Sequence, residues 1–194
     1  MSLCEHPLRR RAFVAAGLGW LAGPLLAADE VEAILRRGGA AIVLRHAHAP
    51  GTFDPPGFRL GDCSTQRNLD GQGRAQARRI GQWFAGRSLR PARVLSSPWC
   101  RCLETAQLAF GLAEAWSPLG SPVGATPGTQ EASRRALGQE LERLSREPGG
   151  FQAWVTHMFV IADLTGQDSA SGEGLVLQAT AGGVPSVLGR LRIE

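Results

Sequence analysis

Ala40-Ala41-Ile42-Val43-Leu44-Arg45-His46 is a continuous apolar run that stops abruptly on an arginine and a histidine. A run this short, with no polar residue alternating through it, reads as a strand covered on both faces, the pattern of a parallel sheet between helices. Gly38-Gly39 precedes it and closes a short helix expected over 29–37, with Val31, Ile34 and Leu35 on one face. Downstream, shorter apolar stretches at 93–96 and 151–156 also read as buried strands. Helical spacing appears at 72–86 (Ile80, Trp83 and Phe84 on one face), 98–115, 130–147 (Leu137, Leu141 and Leu144 inward, Glu142 and Arg146 paired) and 158–165. Short runs at 175–177 and 187–193 read as final strands at the edge of the sheet. Strands alternating with helices predict an α/β fold, a three-layer α/β/α sandwich around a mostly parallel sheet. Two Gly- and Pro-rich stretches, 49–67 and 117–129, are expected to be loops, and irregular segments of such length in a small domain are usually functional.

All 21 basic residues of the 194 are arginines, and there is no lysine. Schiff-base chemistry, a lysine general base and a phosphate loop with its lysine are thereby excluded. Arg9-Arg10-Arg11 followed by an uncharged stretch to Ala28 has the layout of a signal peptide, with an arginine pair of twin-arginine type. The expected division is a targeting segment at 1–28 and one domain at 29–194, exported to a bacterial periplasm or the exterior, with no membrane span left after cleavage. Removing 1–28 leaves a formal charge of about +2 by the count that gives +4 for the whole chain, too weak for a nucleic-acid partner. In an oxidising compartment Cys63 has two candidate disulfide partners, Cys100 and Cys102.

Three polar groups stand directly after expected strands: Arg45-His46, Ser96-Ser97 with Arg101 in the next helix, and Thr156-His157. In open parallel sheets the carboxyl ends of the strands form the binding crevice, beside the amino ends of the following helices. Two arginines and two histidines converging there make a small cationic pocket suited to an oxyanion, because arginine binds phosphate through two parallel N–H donors.

These residues resemble a known family. Leu44-Arg45-His46-Ala47, Asn68-Leu69-Asp70-Gly71-Gln72-Gly73-Arg74-Ala75, Ser96-Ser97-Pro98 with Arg101 and Thr105-Ala106, and Val155-Thr156-His157 are similar, in order, to the signature segments of the histidine phosphatase (phosphoglycerate mutase-like) superfamily. The resemblance implies that His46 takes the phosphoryl group, that Arg45 and Arg101 clamp its oxygens and that His157 donates to them. It implies a small phosphorylated substrate, hydrolysed as a phosphate monoester with no metal or other cofactor. Ala47 stands where the signature has glycine, and Met158 where one branch has an aspartate. The family's proton donor is not marked by any motif. Glu173 is the first candidate and Glu131 the second, with Asp54 and Asp62 in the first loop behind them. Two other readings stand beside this one: a zinc hydrolase using His46, His48 and His157, and an anion-binding module with weak catalysis or none.

Overall fold

In β1 (Ala40–Arg45), Ala40, Ile42 and Leu44 join one buried cluster, while Ala41 and Val43 join a second on the opposite face. That is the two-residue alternation of a strand with both faces covered. The first cluster takes Val31, Ile34 and Leu35 from α1 (Leu25–Arg37), Ile80 and Phe84 from α2 (Gly71–Gly86), and Cys102 and Ala106 from α3 (Cys100–Phe110). The second takes Leu137, Leu141 and Leu144 from α4 (Pro127–Arg146), with Val160, Ile161 and Leu164 from α5 (Met158–Thr165). Between these layers lies the sheet. The computed structural model describes residues 25–123, 125–147, 149–180 and 183–193.

The sheet has six strands: β1, β2 (Arg93–Ser96), β3 (Glu114–Ala115), β4 (Phe151–Thr156), β5 (Gly174–Ala179) and β6 (Pro185–Leu191). Their order is β3-β2-β4-β1-β5-β6. β4 runs parallel to β1 and β2, with Arg45 opposite Thr156 and Ser96 opposite Val155, so the three carboxyl ends lie side by side. β3 is parallel to β2, whereas β5 and β6 complete the sheet antiparallel. The mixed α/β sandwich with a mostly parallel sheet is the expected fold.

Several boundaries differ from those expected. The helix expected to run to 115 ends at Phe110, because Gly111 adopts φ 76° and accepts the left-handed conformation that stops a helix. Glu114 and Ala115 then pair with β2 instead. β5 is not an edge strand; it sits between β1 and β6. α1 starts at Leu25, earlier than expected, and residues 1–24 of the targeting segment lie outside the described residues. Among the described residues no helix is long and apolar enough to cross a membrane.

The 49–67 loop is fastened to the layer below it. Cys63 is disulfide-bonded to Cys100 at the start of α3, which settles the pairing and leaves Cys102 as a buried thiol. Next to that bond the Gln66 side-chain oxygen accepts from the Cys100 N–H at 3.0 Å. α2 begins at an Asp70 cap whose carboxylate accepts from the Gly73 N–H at 2.7 Å. A side chain at Gly73 would collide with the His48 carbonyl, so glycine lets this helix end press against the chain leaving β1.

Candidate active site

The adjacent ends of β1, β4 and β2 open into a cavity of about 510 Å³ whose lining includes Arg45, His46, Arg101 and His157. The four residues that the sequence pointed to are therefore together. Asp54 and Arg67, both from the 49–67 loop, complete the set of ionisable groups on its walls.

His46 is buried, and its Nδ1 lies 2.8 Å from the Ala47 carbonyl oxygen. A carbonyl can only accept, so Nδ1 carries the proton and Nε2 keeps a lone pair. Burial, with Arg101, Arg67 and Arg45 nearby, outweighs the hydrogen bond to Ala47 and pushes the imidazole pKa down to about 3. The ring is thus neutral at any ordinary pH, in the tautomer a nucleophilic nitrogen needs. The backbone beneath it is fixed as well. The His46 N–H donates to Thr156 O at 2.9 Å, and the Ala47 N–H donates to the Thr105 hydroxyl at 3.1 Å. The methyl of Ala47 is fully buried, so alanine fits where the signature carries glycine.

The His157 ring stands 5.5 Å from that of His46 and meets it edge-on at 69°. Its Nδ1 faces the Arg101 guanidinium at 3.4 Å, and its Nε2 is 2.8 Å from the Ser97 hydroxyl. Guanidinium has no acceptor, so in this state Nδ1 accepts and Nε2–H donates to Ser97. The serine hydroxyl can rotate and donate instead if the ring's single proton moves from Nε2 to Nδ1, and in that tautomer Nδ1–H can donate to an anion in the cavity. Burial, then Arg101 and His46, holds this histidine well below its usual pKa. Cys102, against the same ring, is no rival nucleophile: burial pushes its thiol up to about 12.

The charges on the walls are three arginines against one carboxylate, a net +2 with both histidines neutral. Burial, then repulsion from Arg101, lowers the guanidinium pKa of Arg45 and Arg67. Each of Arg45, Arg67 and Arg101 also carries a buried Nε with no partner among the described residues. Crowded, partly unpaired cations are costly unless an anion joins them. Asp54 offsets part of this: it accepts from Arg101 at 2.8 Å, from the Arg67 N–H at 3.0 Å and from the Trp99 indole at 3.2 Å. Burial alone would raise its pKa, but these donors outweigh it and keep the carboxylate ionised. The remaining +2 matches a phosphate dianion. α3 and α5 both start at the cavity with no side-chain cap, so their amino ends add to the same field.

The sequence matches the family described as the histidine phosphatase superfamily (branch 1) over residues 42–157, more than half of the chain. The protein belongs to that superfamily. Among solved structures, the protein histidine phosphatase SixA complexed with tungstate aligns at a TM-score of 0.51 and 20% identity, covering 78% of this chain and 96% of that one. A phosphoserine phosphatase variant from Entamoeba histolytica, in complex with phosphoserine, gives 0.55 at 13% identity over 78% and 95%. A mycobacterial glucosyl-3-phosphoglycerate phosphatase with inorganic phosphate gives 0.52 at 18% identity over 80% and 95%. At these identities the likeness is one of fold. A comparison with curated protein sequences found no significant match.

In this histidine phosphatase superfamily member neither leading acid candidate lines the cavity. Glu131 is exposed on α4, paired with Arg134 and Arg135. Glu173 is buried, and its carboxylate accepts from Arg190 at 2.7 Å, Arg192 at 2.6 Å and the Ala170 N–H at 2.7 Å. Burial would raise its pKa, but those donors keep it below the usual carboxylate value. What Glu173 does instead is fix the 169–173 turn. Ser169 O in that turn accepts from the Arg45 guanidinium at 2.8 Å, and the Gly172 N–H reaches the carbonyls of Arg45 and His46 at 3.2 Å. Glu173→Gln is therefore expected to cost about 2 kcal/mol of stability and roughly 10–100-fold in kcat/KM through a misplaced Arg45. The loss should be the same for good and poor leaving groups; a proton donor would show its largest loss with the poor ones. Asp62 caps the short turn Cys63–Thr65 and is outside the cavity lining. His48 faces Asp70 at 3.2 Å, also away from the cavity lining, so the three histidines of the zinc reading do not converge. No cluster of three or more His, Cys, Asp or Glu suited to a metal occurs among the described residues.

The buried histidines predict an acid instability. The unfolded chain protonates His46 near its ordinary value of 6.5, whereas the folded chain resists until about 3. Between those values the unfolded state holds more protons, so stability falls as pH falls. At pH 4.5 the His46 share amounts to about 3 kcal/mol, and His157 adds to it in the same direction. Urea titrations at pH 7 and 4.5 measure this; an equal midpoint at both pH values would refute it.

Proposed function

We propose that the protein is a phosphatase that hydrolyses a phosphate monoester through a phosphohistidine at His46, without a metal. The observation that carries this reading is His46 itself: a neutral ring with its Nδ1 proton fixed on Ala47 O, in a cavity of net charge +2. In the first step the Nε2 lone pair forms a bond to phosphorus as the ester P–O bond breaks, and the alcohol oxygen leaves with the bonding electrons. In the second a water attacks the phosphorus, the P–N bond breaks and inorganic phosphate forms. Arg45, Arg67 and Arg101 stabilise the charge spread over the equatorial oxygens, and His157 donates to one of them once Ser97 has reversed its hydrogen bond. With arginines supplying the positive charge, the chemistry has no need of a cation. Superfamily membership and the phosphatases that share the fold support the activity.

The same reading places the enzyme outside the cytoplasm, supported by the basic and apolar start of the sequence and by the Cys63–Cys100 disulfide. The decisive test is a quench experiment with a phosphorus-labelled ester in the presence of EDTA. An acid-labile, alkali-stable label on the peptide containing His46 is expected. Turnover that EDTA abolishes would overturn the metal-free route, and phosphate binding without any turnover would leave only an anion-binding module.

A further inference from the structure

The phosphate seat occupies only the floor of the cavity. At about 510 Å³ the hollow is in the range of about 300–1,000 Å³ that holds whole organic ligands. Every charged residue on its walls already belongs to the seat: Arg45, Arg67, Arg101 and Asp54. Apart from the Thr52 and Ser121 hydroxyls, the mouth is apolar and largely aromatic, formed by Phe53, Phe58, Trp99, Val123 and Phe159. Phe58 is stacked on Trp99 at 5.5 Å and 15°, which makes one rigid wall. A second hollow of about 230 Å³ shares Trp99 and Ser121 with the first and has Leu60, Pro118 and Leu137 in its lining. Its charged residues, Arg134 and Asp163, are of opposite sign.

The exposed hydrophobics gather at the same place. Six large ones stand out among the described residues, and four belong to these two hollows: Phe53 at 67% exposure, Val123 at 55%, Leu60 at 51% and Phe159 at 39%. Contiguous exposed apolar groups of this kind mark a binding surface. Their occupant follows from the direction of the reaction. Attack by His46 Nε2 requires the ester oxygen to depart on the far side of phosphorus, out of the seat, so the alcohol part of the substrate must lie along the mouth. An alcohol with a second phosphate or a carboxylate would meet no cation there.

A second observation narrows the class. The sole carboxylate on the walls, Asp54, is committed to three donors, and no other carboxyl group lines this cavity to protonate a departing alkoxide. A phenolate needs no such help. From the aromatic, uncharged mouth and the committed carboxylate we infer that the substrate is the phosphate monoester of an apolar phenol, an aryl phosphate with no further charge. The inference rests on the phosphatase reading. The phenolate departs with the electron pair of the P–O bond and takes its proton from water, while phosphorus passes to His46.

The test compares phenyl phosphate and 2-naphthyl phosphate with glycerol 2-phosphate, and repeats the comparison in Phe159→Ser and Val123→Ser. Phenyl phosphate is expected to exceed glycerol 2-phosphate by at least 100-fold in kcat/KM. The naphthyl ester should gain about a further tenfold, a gain that both variants reduce. Equal rates for the aryl and glycerol esters, with the phosphohistidine still trapped, would overturn this inference and leave the phosphatase reading intact. If no ester is hydrolysed, the phosphatase reading itself fails. Thermal stabilisation by phenylphosphonate and methylphosphonate then decides the mouth alone: a tenfold tighter phenyl compound supports its apolar ligand, and equal affinities overturn it.

Discussion

His46→Ala is expected to lower turnover of p-nitrophenyl phosphate by on the order of 10⁴–10⁶, the scale on which removal of a covalent nucleophile falls. The size follows from how completely the fold commits this side chain. Its Nδ1 is held by Ala47 O, its backbone N–H by Thr156 O, and the next peptide N–H by Thr105. The other imidazole on the cavity wall is not free to replace it, since His157 faces Arg101 and Ser97, and the nearby Cys102 thiol is protonated. The arginines stay in place in the variant, so inorganic phosphate should still raise its melting temperature. Folding and anion binding are thereby separated from chemistry. Residual activity above about 1% of the original, far more than the loss of a nucleophile permits, would show that the phosphoryl group is carried elsewhere.

The layers of the fold were legible because β1, β2 and β4 are buried on both faces. Strands of that kind announce themselves as unbroken apolar runs, and the polar residues that end them mark the carboxyl edge of the sheet. Arg45-His46, Ser96-Ser97 and Thr156-His157 are therefore assignable to one place from the sequence alone. The end of α3 was harder. Residues 98–115 keep an acceptable helical spacing past Phe110, and only Gly111 signals the stop. The strand Glu114–Ala115 has both residues exposed and carries no apolar run to betray it.

Arg67 and the part played by Asp54 were not legible, for a different reason. Both sit in the 49–67 loop, where no periodicity assigns a direction to a side chain. Their positions are set by long-range bonds: the Cys63–Cys100 disulfide, Gln66 to the Cys100 N–H, and Asp54 to Arg101 and Trp99. The sequence did narrow the disulfide to two pairings, since Cys100 and Cys102 are both at the start of one helix. What separates them is helical phase. Cys100 faces the loop, while Cys102 points into the core against Thr156 and His157. The sequence does not fix the direction of Glu173, because a carboxylate beyond the second histidine motif looks the same whether it faces the cavity or faces Arg190 and Arg192. Arg190 is on β6 and Arg192 just beyond its end, and the placement of that antiparallel strand beside β5 had no motif to announce it.

Arg101→Lys, the charge-conserving change, is expected to lower kcat/KM by about 10³, at the upper end of what one preorganised donor supplies. Arg101 is the hub of the site. One terminal nitrogen is spent on Asp54 at 2.8 Å and on Arg67 O at 3.4 Å, and the other faces His157 Nδ1 at 3.4 Å. The planar fork thus holds a loop residue and a sheet-end residue at a fixed spacing, with Nε unpartnered among the described residues. Lysine carries the same charge on one flexible point. Held by Asp54, an ammonium leaves the phosphoryl oxygens; turned toward the phosphoryl, it leaves Asp54 without its cationic partner. Either way the seat loses geometry while its net charge is unchanged. The long-range attraction for phosphate should survive, so KM for p-nitrophenyl phosphate should rise less than kcat falls. A drop smaller than tenfold in kcat/KM would mean that charge alone suffices, and that the fork of Arg101 serves to anchor the loop. Asp54→Asn distinguishes these roles. If anchoring is what matters, it should reproduce the Arg101→Lys defect; if Arg101 clamps the phosphoryl group directly, the asparagine, whose one oxygen can still accept from the Arg67 N–H, should retain most of the activity.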